Sequence, residues 1–363
     1  MSISTLERPT QNSPAGMQAE SDRAIAVIDT YRPTAAEHTR LQEIDEEFPF
    51  LPAELGSKAT YAVLDLTDNH AGTFKWRGAM YAAERASQDG AASLWTNSAG
   101  NHARGLILAA RALNMPVEVR MPTTVPDNKR HAASQLWPDG QVATTLVGRD
   151  FNETTAYSDE QPGSGQLIHA FDDPDVISGQ GTVVDDVLRL EPRTSDLCLP
   201  VGGGGLLAGV LMRLKSLGRS DINVHAVIAP GSDSLPRSLD RDFDDIVPAT
   251  QPNRRYGGSC VSAVTKYAPD QCRAYPNVEL HTVSDDEVER LINEYDTHRQ
   301  DNHLESVPPY EPTTLVAIAG LMQIPSRRGG RVVALGTGRN APLYPSRSVE
   351  RATRVWVGQQ RSS

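Results

Sequence analysis

Short apolar runs alternate with amphipathic stretches along the chain from about Ile25 onward. Such alternation is typical of successive β-α-β units, in which helices cover both faces of a mostly parallel sheet. The apolar runs predict strands at residues 62–66, 92–96, 117–121, 197–201, 224–228 and 332–335. Periodic apolar positions predict helices at residues 75–86 and 206–217, and a third helix that ends at Asn114. The pattern therefore predicts an α/β fold.

The first 23 residues do not follow this pattern. They carry few large apolar side chains and many Ser, Thr, Gln, Glu and Pro residues. Ordering such a segment costs conformational entropy without burying much apolar surface. We therefore predict that residues 1–23 form a flexible extension.

Polar or glycine-rich segments follow several of the predicted strands, at residues 67–73, 97–101, 202–205 and 336–340. In open α/β sheets, ligands bind just outside the carboxyl ends of the strands. We therefore expect these four segments to converge on one site.

Four consecutive glycines, Gly202, Gly203, Gly204 and Gly205, lie between an apolar run and a predicted helix. Glycine lets backbone amides approach an anion closely, and the N-terminus of the helix adds a partial positive charge. The segment therefore predicts a phosphate site. Two other interpretations stay open, a tight turn and a loose dinucleotide-binding pattern formed by Gly203, Gly205 and Ala208.

Lys75 lies between Phe74 and Trp76 at a predicted junction of loop and helix. Aromatic neighbours partly desolvate an amine, which lowers its pKa and lets it attack a carbonyl group. Taken alone, a lysine in the first turn of a helix is usually a solvated surface residue. The surrounding motif therefore has to decide between the two interpretations.

Composition and charge narrow the class of protein. With 39% hydrophobic and 22% charged residues, the 363-residue chain has a globular composition. Its net charge of -11 disfavours nucleic acid and membrane surfaces as partners. The widely spaced Cys198, Cys260 and Cys272 fit neither a disulfide framework nor a zinc site. Because the sequence also lacks an exported leader pattern and a long apolar run, we expect a soluble cytoplasmic protein.

Six motifs occur in a fixed order over about Tyr61 to Asn340. They are residues 73–79 (TFKWRGA), 98–105 (SAGNHARG), 171–182 (FDDPDVISGQGT), 200–209 (PVGGGGLLAG), 311–312 (EP) and 336–340 (GTGRN). In these motifs the chain resembles the fold type II pyridoxal-phosphate enzymes, the tryptophan synthase beta-like superfamily. Within that superfamily it is similar to the threonine/serine dehydratase and serine racemase branch.

The resemblance implies two doubly wound α/β domains, one large and one small, with pyridoxal 5'-phosphate in the cleft between them. It implies a large cofactor-binding domain at residues 24–90 and 175–350, a small mobile domain at residues 91–174 and a tail at residues 351–363. It also implies that the protein forms a homodimer.

The resemblance also implies roles for individual residues. Lys75, preceded by Phe74, would form a Schiff base with the cofactor aldehyde and later move the α-proton of the substrate. The amides of Gly202, Gly203, Gly204 and Gly205 would bind the cofactor phosphate. The remaining candidates are Asn101 at the ring hydroxyl, Thr337 at the pyridine nitrogen, and Ser98, Ala99, Gly100, Asn101 and His102 around the substrate carboxylate.

Two of these residues favour elimination over other reactions. Thr337 supplies a neutral hydroxyl to the pyridine nitrogen, so the electron sink is weaker than with an aspartate, which suits loss of a β-substituent. Ala99 stands where the racemase relatives carry a second acid or base, and alanine cannot carry a proton. The sequence therefore predicts an ammonia-lyase that acts on a small L-amino acid, L-threonine or L-serine by default, and yields a 2-oxo acid and ammonia.

Three alternatives remain open from the sequence. The first is a β-replacement synthase of the cysteine synthase type, which keeps the cofactor. The second is a nicotinamide-dependent oxidoreductase that uses the pattern of Gly203, Gly205 and Ala208. The third is a relative that binds without catalysis.

Two departures from the family pattern affect the substrate and metal predictions. Ala229 precedes Pro230 where relatives carry an acidic ligand of a divalent cation, so we predict that the activity requires no metal. Arg254 and Arg255 replace the usual dehydratase segment and either bind a second anionic group of the substrate or form a solvated surface pair.

Overall fold

The structure is a computed structural model that describes most of the chain. The described residues are 14–31, 39–51, 55, 59–67, 69, 71–127, 129–130, 135–138, 140–241, 245–324 and 329–339. Asn340 and the predicted tail at residues 351–363 lie outside these ranges.

A six-stranded sheet forms the larger part of the fold. Its strands, in spatial order, are β1 (Arg40–Glu43), β2 (Ala59–Asp65), β10 (Gly330–Gly336), β7 (Asp196–Val201), β8 (Asn223–Ile228) and β9 (Val278–Thr282). All neighbouring strands are parallel except β1 and β2. Every residue of β7 and β8 is buried because helices cover both faces of the sheet.

Helices pack on each face of this sheet through a separate apolar cluster. One face is covered by Val183–Leu190, Gly205–Ser216, Ser234–Leu239 and Tyr267–Ala274. The other face is covered by Asp285–Asp301 and Pro312–Leu321, with the short helix Ile44–Glu47 and the 3-10 helix Arg254–Ser259 beside them. This two-sided covering is the predicted doubly wound arrangement.

A second sheet of four parallel strands forms the smaller part. Its spatial order is β5 (Val142–Leu146), β4 (Val117–Met121), β3 (Leu94–Asn97) and β6 (Gln166–Leu167). The helices Lys75–Gln88 and Asn101–Leu113 share an apolar cluster with it, and Phe151–Glu160 contacts β3 and β4. All four strands lie within the predicted small domain at residues 91–174, whose boundaries stay a prediction.

The helix Pro174–Gly181 packs between the two parts. It contacts both Lys75–Gln88 and Gly205–Ser216, the helices that begin at the candidate lysine and at the glycine run. In the part of the chain that the structure describes, no helix combines the length and the apolar content that a bilayer crossing requires.

The N-terminal segment differs from the sequence-based expectation. A helix covers Pro14–Tyr31, so the expected flexible extension at residues 1–23 is not observed from Pro14 onward. Ala24 and Ile28 are fully buried, and Arg213 forms an ion pair with Asp22 over 3.1 Å. The polar segment is thus ordered by partners far along the chain, and residues 1–13 lie outside the described residues.

A buried ion pair fixes the start of the helix Lys75–Gln88. The guanidinium of Arg77 contacts the Asp186 carboxylate, and both side chains are almost completely buried. Arg77 also donates to the hydroxyl groups of Thr39 and Thr182, over 3.1 and 3.2 Å. Removal of the Asp186 carboxylate would take away the buried negative charge that Arg77 contacts, and breaking one side of a buried ion pair is costly.

We predict that Asp186→Ala lowers the free energy of unfolding by about 3–5 kcal/mol, because it removes the buried carboxylate that the guanidinium of Arg77 contacts. Urea denaturation followed by circular dichroism measures the loss. Asp159→Ala removes an exposed carboxylate and should stay within about 0.5 kcal/mol of the parent protein. Equal free energies of unfolding for Asp186→Ala and Asp159→Ala would contradict a stabilising role of the Arg77–Asp186 pair.

Candidate active site

Lys75 is brought to the end of the central strand β10 by hydrogen bonds of the residues before it. The carbonyl oxygen of Thr337 accepts from Phe74 N and from Thr73 Oγ1, both over 3.1 Å. Thr73 also forms an isolated β-bridge with Gly338. Two segments more than 260 residues apart, one carrying Lys75 and the other Thr337, are therefore joined at the carboxyl end of the sheet.

The amine of Lys75 is desolvated by the protein around it. Its Nζ donates to the carbonyl oxygen of Ala170 over 2.9 Å and lies 5.3 Å from the centroid of the Phe74 ring. Burial lowers the pKa of the Lys75 amine to about 8. A substantial fraction is therefore neutral near neutral pH, as attack on a carbonyl requires.

The glycine run forms a tight turn between β7 and the helix Gly205–Ser216. Gly204 has a φ of 79°, a conformation that glycine adopts without strain. A Cβ atom on Gly203 would lie 2.3 Å from the Phe171 ring, so this position has no room for a side chain. The turn places backbone amides and the N-terminus of the helix at the carboxyl end of the sheet, as a phosphate site requires.

Ser259 lies beside the glycine run. Its Cα is 3.2 Å from the position that a Cβ on Gly202 would occupy. The residue is fully buried, and its Oγ has no hydrogen-bond partner within the described part of the chain. A buried hydroxyl without a partner is costly, so we infer that this group is available to a ligand oxygen.

The segment from Ser98 to His102 follows β3 and begins the helix Asn101–Leu113. Ser98, Ala99 and Asn101 are partly buried, whereas Gly100 is exposed. Gly100 N donates to Ser98 Oγ over 3.3 Å. The helix therefore begins next to an exposed residue, and the first amides of a helix suit a carboxylate.

His102 is buried and holds this segment to the small sheet. Its Nε2 lies 3.0 Å from the carbonyl oxygen of Ile168, so Nε2 carries the proton. Burial, followed by the charge of Lys75, lowers the pKa of His102 to about 3. The ring is therefore a neutral positioning group over the physiological pH range.

Asn101 is oriented by a residue to which the sequence gave no role. Its amide nitrogen donates to both carboxylate oxygens of Glu311, over 2.8 and 3.0 Å. Glu311 N donates to the Gly338 carbonyl over 2.9 Å, and burial raises the pKa of the Glu311 carboxyl. Glu311 thus links Asn101 to the segment that carries Thr337.

Thr337 is buried beside a second hydroxyl, that of Thr314. The two Oγ1 atoms are 3.2 Å apart, and Thr314 Oγ1 also accepts from the amides of Thr337 and Gly338. Both groups are neutral, which matches the hydroxyl predicted to face the cofactor ring. The sequence did not identify Thr314, since a threonine inside an apolar helix carries no recognisable signal.

Arg255 lies at the surface of the described chain. It forms an ion pair with Glu289, and both side chains are exposed. For Arg255 this agrees with the solvated surface residue considered from the sequence. The side chain of Arg254 lies outside the described part, so its predicted contact with substrate stays a prediction.

A family model for pyridoxal-phosphate dependent enzymes matches residues 37–338. The chain is 29% identical over 282 residues to the catabolic L-threonine dehydratase TdcB of Staphylococcus aureus strain N315, covering 75% of this chain and 76% of that protein. It is 35% identical over 147 residues to the L-threonine ammonia-lyase of Geobacter sulfurreducens, covering 40% and 36%. The chain therefore belongs to the pyridoxal-phosphate dependent enzyme family, as its motifs predicted.

Solved structures confirm the predicted fold type II architecture. Threonine deaminase isoform 2 from Solanum lycopersicum, in its processed form, superposes with a TM-score of 0.73 at 24% identity over 99% of both chains. Maize serine racemase superposes with a TM-score of 0.71 at 20% identity, covering 94% of this chain and 98% of that one. Because the chain belongs to this family, we interpret the glycine run as part of a pyridoxal-phosphate site and not as a nicotinamide-binding pattern.

The residues of the site fit pyridoxal 5'-phosphate. The glycine turn and the free hydroxyl of Ser259 suit its phosphate, and the desolvated amine of Lys75 suits its aldehyde. The hydroxyl of Thr337 suits its ring nitrogen. The described residues therefore meet the charge and hydrogen-bonding requirements of the cofactor.

The pKa of Lys75 predicts how cofactor capture depends on pH. Because only the neutral amine attacks, the rate at which the cofactor-free protein captures pyridoxal phosphate should rise with pH and level off above about 8. Stopped-flow absorbance measures this rate, and Lys215→Ala should leave the profile unchanged. A rate that still climbs steeply between about pH 9 and 10 would indicate an ordinary lysine pKa.

We predict that Ser259→Ala weakens binding of pyridoxal phosphate roughly tenfold, since a hydrogen bond to a charged group contributes about 1.5–3 kcal/mol. Fluorescence titration of the cofactor-free protein measures the affinity. Ser232→Ala is the matched control, because Ser232 also has a buried hydroxyl without a partner in the described part of the chain. Equal affinities in the two variants would exclude Ser259 from the phosphate site.

Proposed function

We propose that this protein is a pyridoxal-phosphate-dependent ammonia-lyase. It catalyses α,β-elimination on a small L-amino acid with a β leaving group, L-threonine or L-serine by default. The products are a 2-oxo acid and ammonia. The resemblance of most of the chain to L-threonine dehydratase TdcB supports this substrate class.

One observation carries the proposal. The amine of Lys75 is desolvated, with a pKa of about 8, and its segment is tied to a strand end that offers a hydroxyl at Thr337. An amine of this kind accepts a proton from carbon near neutral pH, where an ordinary lysine would remain protonated. A neutral group at Thr337 favours loss of a β-substituent over storage of the carbanion.

The substrate carboxylate is bound at the start of the helix Asn101–Leu113. The first backbone amides of this helix and the hydroxyl of Ser98 donate hydrogen bonds to it. His102 keeps the segment in place through its bond to Ile168, and Glu311 keeps Asn101 in place. This arrangement orients the substrate so that its α-hydrogen faces Lys75.

Lys75 then moves the proton. When bound, pyridoxal 5'-phosphate supplies delocalisation of the negative charge that develops at the substrate Cα. Lys75 Nζ accepts the α-proton and returns it to the β-hydroxyl, which departs as water. The enamine that is released then takes up one water molecule to yield the 2-oxo acid and ammonia. Packing of Phe74 and Phe171 around the amine and the glycine turn excludes bulk water from these groups.

We predict that Lys75→Ala abolishes both turnover of L-threonine and the absorption band of the covalently held cofactor, because it removes the amine that would form the Schiff base. A coupled assay for the 2-oxo acid and an absorption spectrum measure the two effects. Lys215→Ala should retain both. Turnover that survives in Lys75→Ala would refute the assignment of this residue.

A β-replacement synthase is the alternative that keeps the same cofactor chemistry. Incubation with L-serine and sulfide distinguishes the two reactions, because replacement yields a new amino acid whereas elimination yields pyruvate. Ala99 argues against a racemase, since the side chain at this position carries no exchangeable proton.

We further propose that the protein is a cytoplasmic homodimer without nucleic-acid or membrane partners. The resemblance supports the dimer, the net charge of -11 supports the absence of anionic partners, and the three free cysteines suit a reducing compartment. Size-exclusion chromatography with light scattering measures the oligomeric state.

A further inference from the structure

A cluster of histidine and acidic side chains lies along the neighbouring strands β7, β8 and β9 of the large sheet. Asp196 and Asn223 are the first residues of β7 and β8, whereas the glycine run follows the last residue of β7. The strand register places His225 level with Cys198 and His281 level with Pro200, four and two residues before Gly202. None of the three ligand residues is among those of the candidate active site.

The strand register places three of these side chains on one face. His225 is paired with Glu279, and Val227 with His281, across the parallel strands β8 and β9. Because side chains alternate along a strand, Glu279 and His281 project to the same side as His225. The side chains of His225, Glu279 and His281 offer ligand atoms that all lie within 4.8 Å of one another.

The distances between these atoms are close to those around a bound cation. His225 Nδ1 is 2.9 Å from His281 Nε2, and Glu279 Oε2 is 3.5 and 3.8 Å from these two nitrogens. Ligand bonds of about 2.0–2.1 Å in a tetrahedron put neighbouring ligand atoms about 3.3 Å apart. To bind such a cation, the two imidazole nitrogens need to move apart by only a few tenths of an ångström. The carboxylate oxygen of Glu279 is already close to the required distance from both.

Asp196 fixes the tautomer of His225 that a metal requires. The carboxylate lies 3.0 Å from His225 Nε2 and also accepts from Asn223 Nδ2 over 2.9 Å and from Ser195 Oγ over 2.6 Å. A carboxylate only accepts hydrogen bonds, so the proton of neutral His225 is on Nε2 and the lone pair is on Nδ1. Metal-bound histidines are typically held by such a carboxylate.

A direct hydrogen bond between the two imidazoles also explains their short separation. It leaves unexplained, however, why a third ligand atom lies close to both nitrogens. In that hydrogen bond His281 uses only one of its two ring nitrogens. His281 lies on β9, which in the described sheet is an edge strand paired with β8 alone. The combination of a carboxylate-oriented histidine, a second histidine and an acidic group is a common donor set for zinc.

We propose that His225, His281 and Glu279 bind a borderline divalent cation, of which Zn²⁺ is the first choice, with Asp196 as the positioning residue of His225. The side chain of Glu279 is 45% exposed, so water completes the fourth position. The cation joins the edge strand β9 to β8 and stabilises the fold without contacting the reacting groups. This site differs from the family position at Ala229, where the acidic ligand is missing.

The test is a zinc titration of the cofactor-loaded protein after treatment with a chelator. We expect about one Zn²⁺ per chain by equilibrium dialysis and mass spectrometry, and an upward shift of Tm by a few degrees under saturating zinc. Replacement by Co²⁺ should give the visible absorption of a four-coordinate site with nitrogen and oxygen ligands. Zinc bound far below one per chain, or without any effect on Tm, would overturn the proposal.

Variants locate the bound ion. His281→Gln and Glu279→Gln alter partly exposed ligands and should weaken zinc binding at least about tenfold, whereas His303→Asn changes an exposed histidine outside the cluster and should not. Asp196→Asn should weaken binding about 10- to 100-fold through loss of the tautomer preference. Unchanged affinity in both ligand variants would place the ion elsewhere and refute the site.

Discussion

The carbonyl oxygen of Thr337 accepts two hydrogen bonds on which the rest of the active site depends. Through Phe74 N and Thr73 Oγ1 it holds the start of the helix Lys75–Gln88 against the end of β10. This contact decides where the Lys75 amine lies, and the buried pair of Arg77 and Asp186 keeps the first turn of the same helix in place. The lowered pKa of the lysine is thus a consequence of its position in the fold, since desolvation is its cause.

A second constraint is the close packing around the glycine turn. The Phe171 ring touches Gly203, and the segment that carries Ser259 touches Gly202. These contacts require glycine at both positions, because a Cβ atom at either one would clash with the neighbouring segment. Lys75 donates to Ala170, the residue before Phe171, so one short segment borders both the amine and the phosphate site. A shared piece of backbone would therefore border both ends of the cofactor in the proposed site.

Two regions of the large sheet carry different chemistry. Loops at the carboxyl ends of the strands bring together neutral hydroxyls, glycine amides and one amine, which suits an anionic cofactor and an amino-acid substrate. Within the strands, β8 and β9 bring together imidazole and carboxylate groups, with Asp196 of β7 beside them, which suits a cation. Both groups arise from parallel register, because residues at equivalent positions of neighbouring strands lie side by side in the sheet.

The sequence by itself determined the central elements of the fold and the residues with strong local signals. All six predicted strands are observed, and they are mostly interior strands whose residues are buried on both faces. The missed strands β1, β5, β6 and β9 are the edges of the two sheets, where half-exposed polar residues remove the apolar signal. The glycine run and the lysine motif were recognisable because their chemistry is contained in a few consecutive residues.

Only the tertiary structure decided which distant groups complete the sites. Glu311 meets Asn101 across 210 residues, and Ser259 meets the glycine run, and the local sequence assigned neither residue a contact of this kind. The helix Pro14–Tyr31 likewise forms from a polar segment because Arg213 and a buried apolar cluster lie at its side. Local sequence specifies propensity and residue chemistry, whereas burial and pairing depend on which parts of the chain the fold brings into contact.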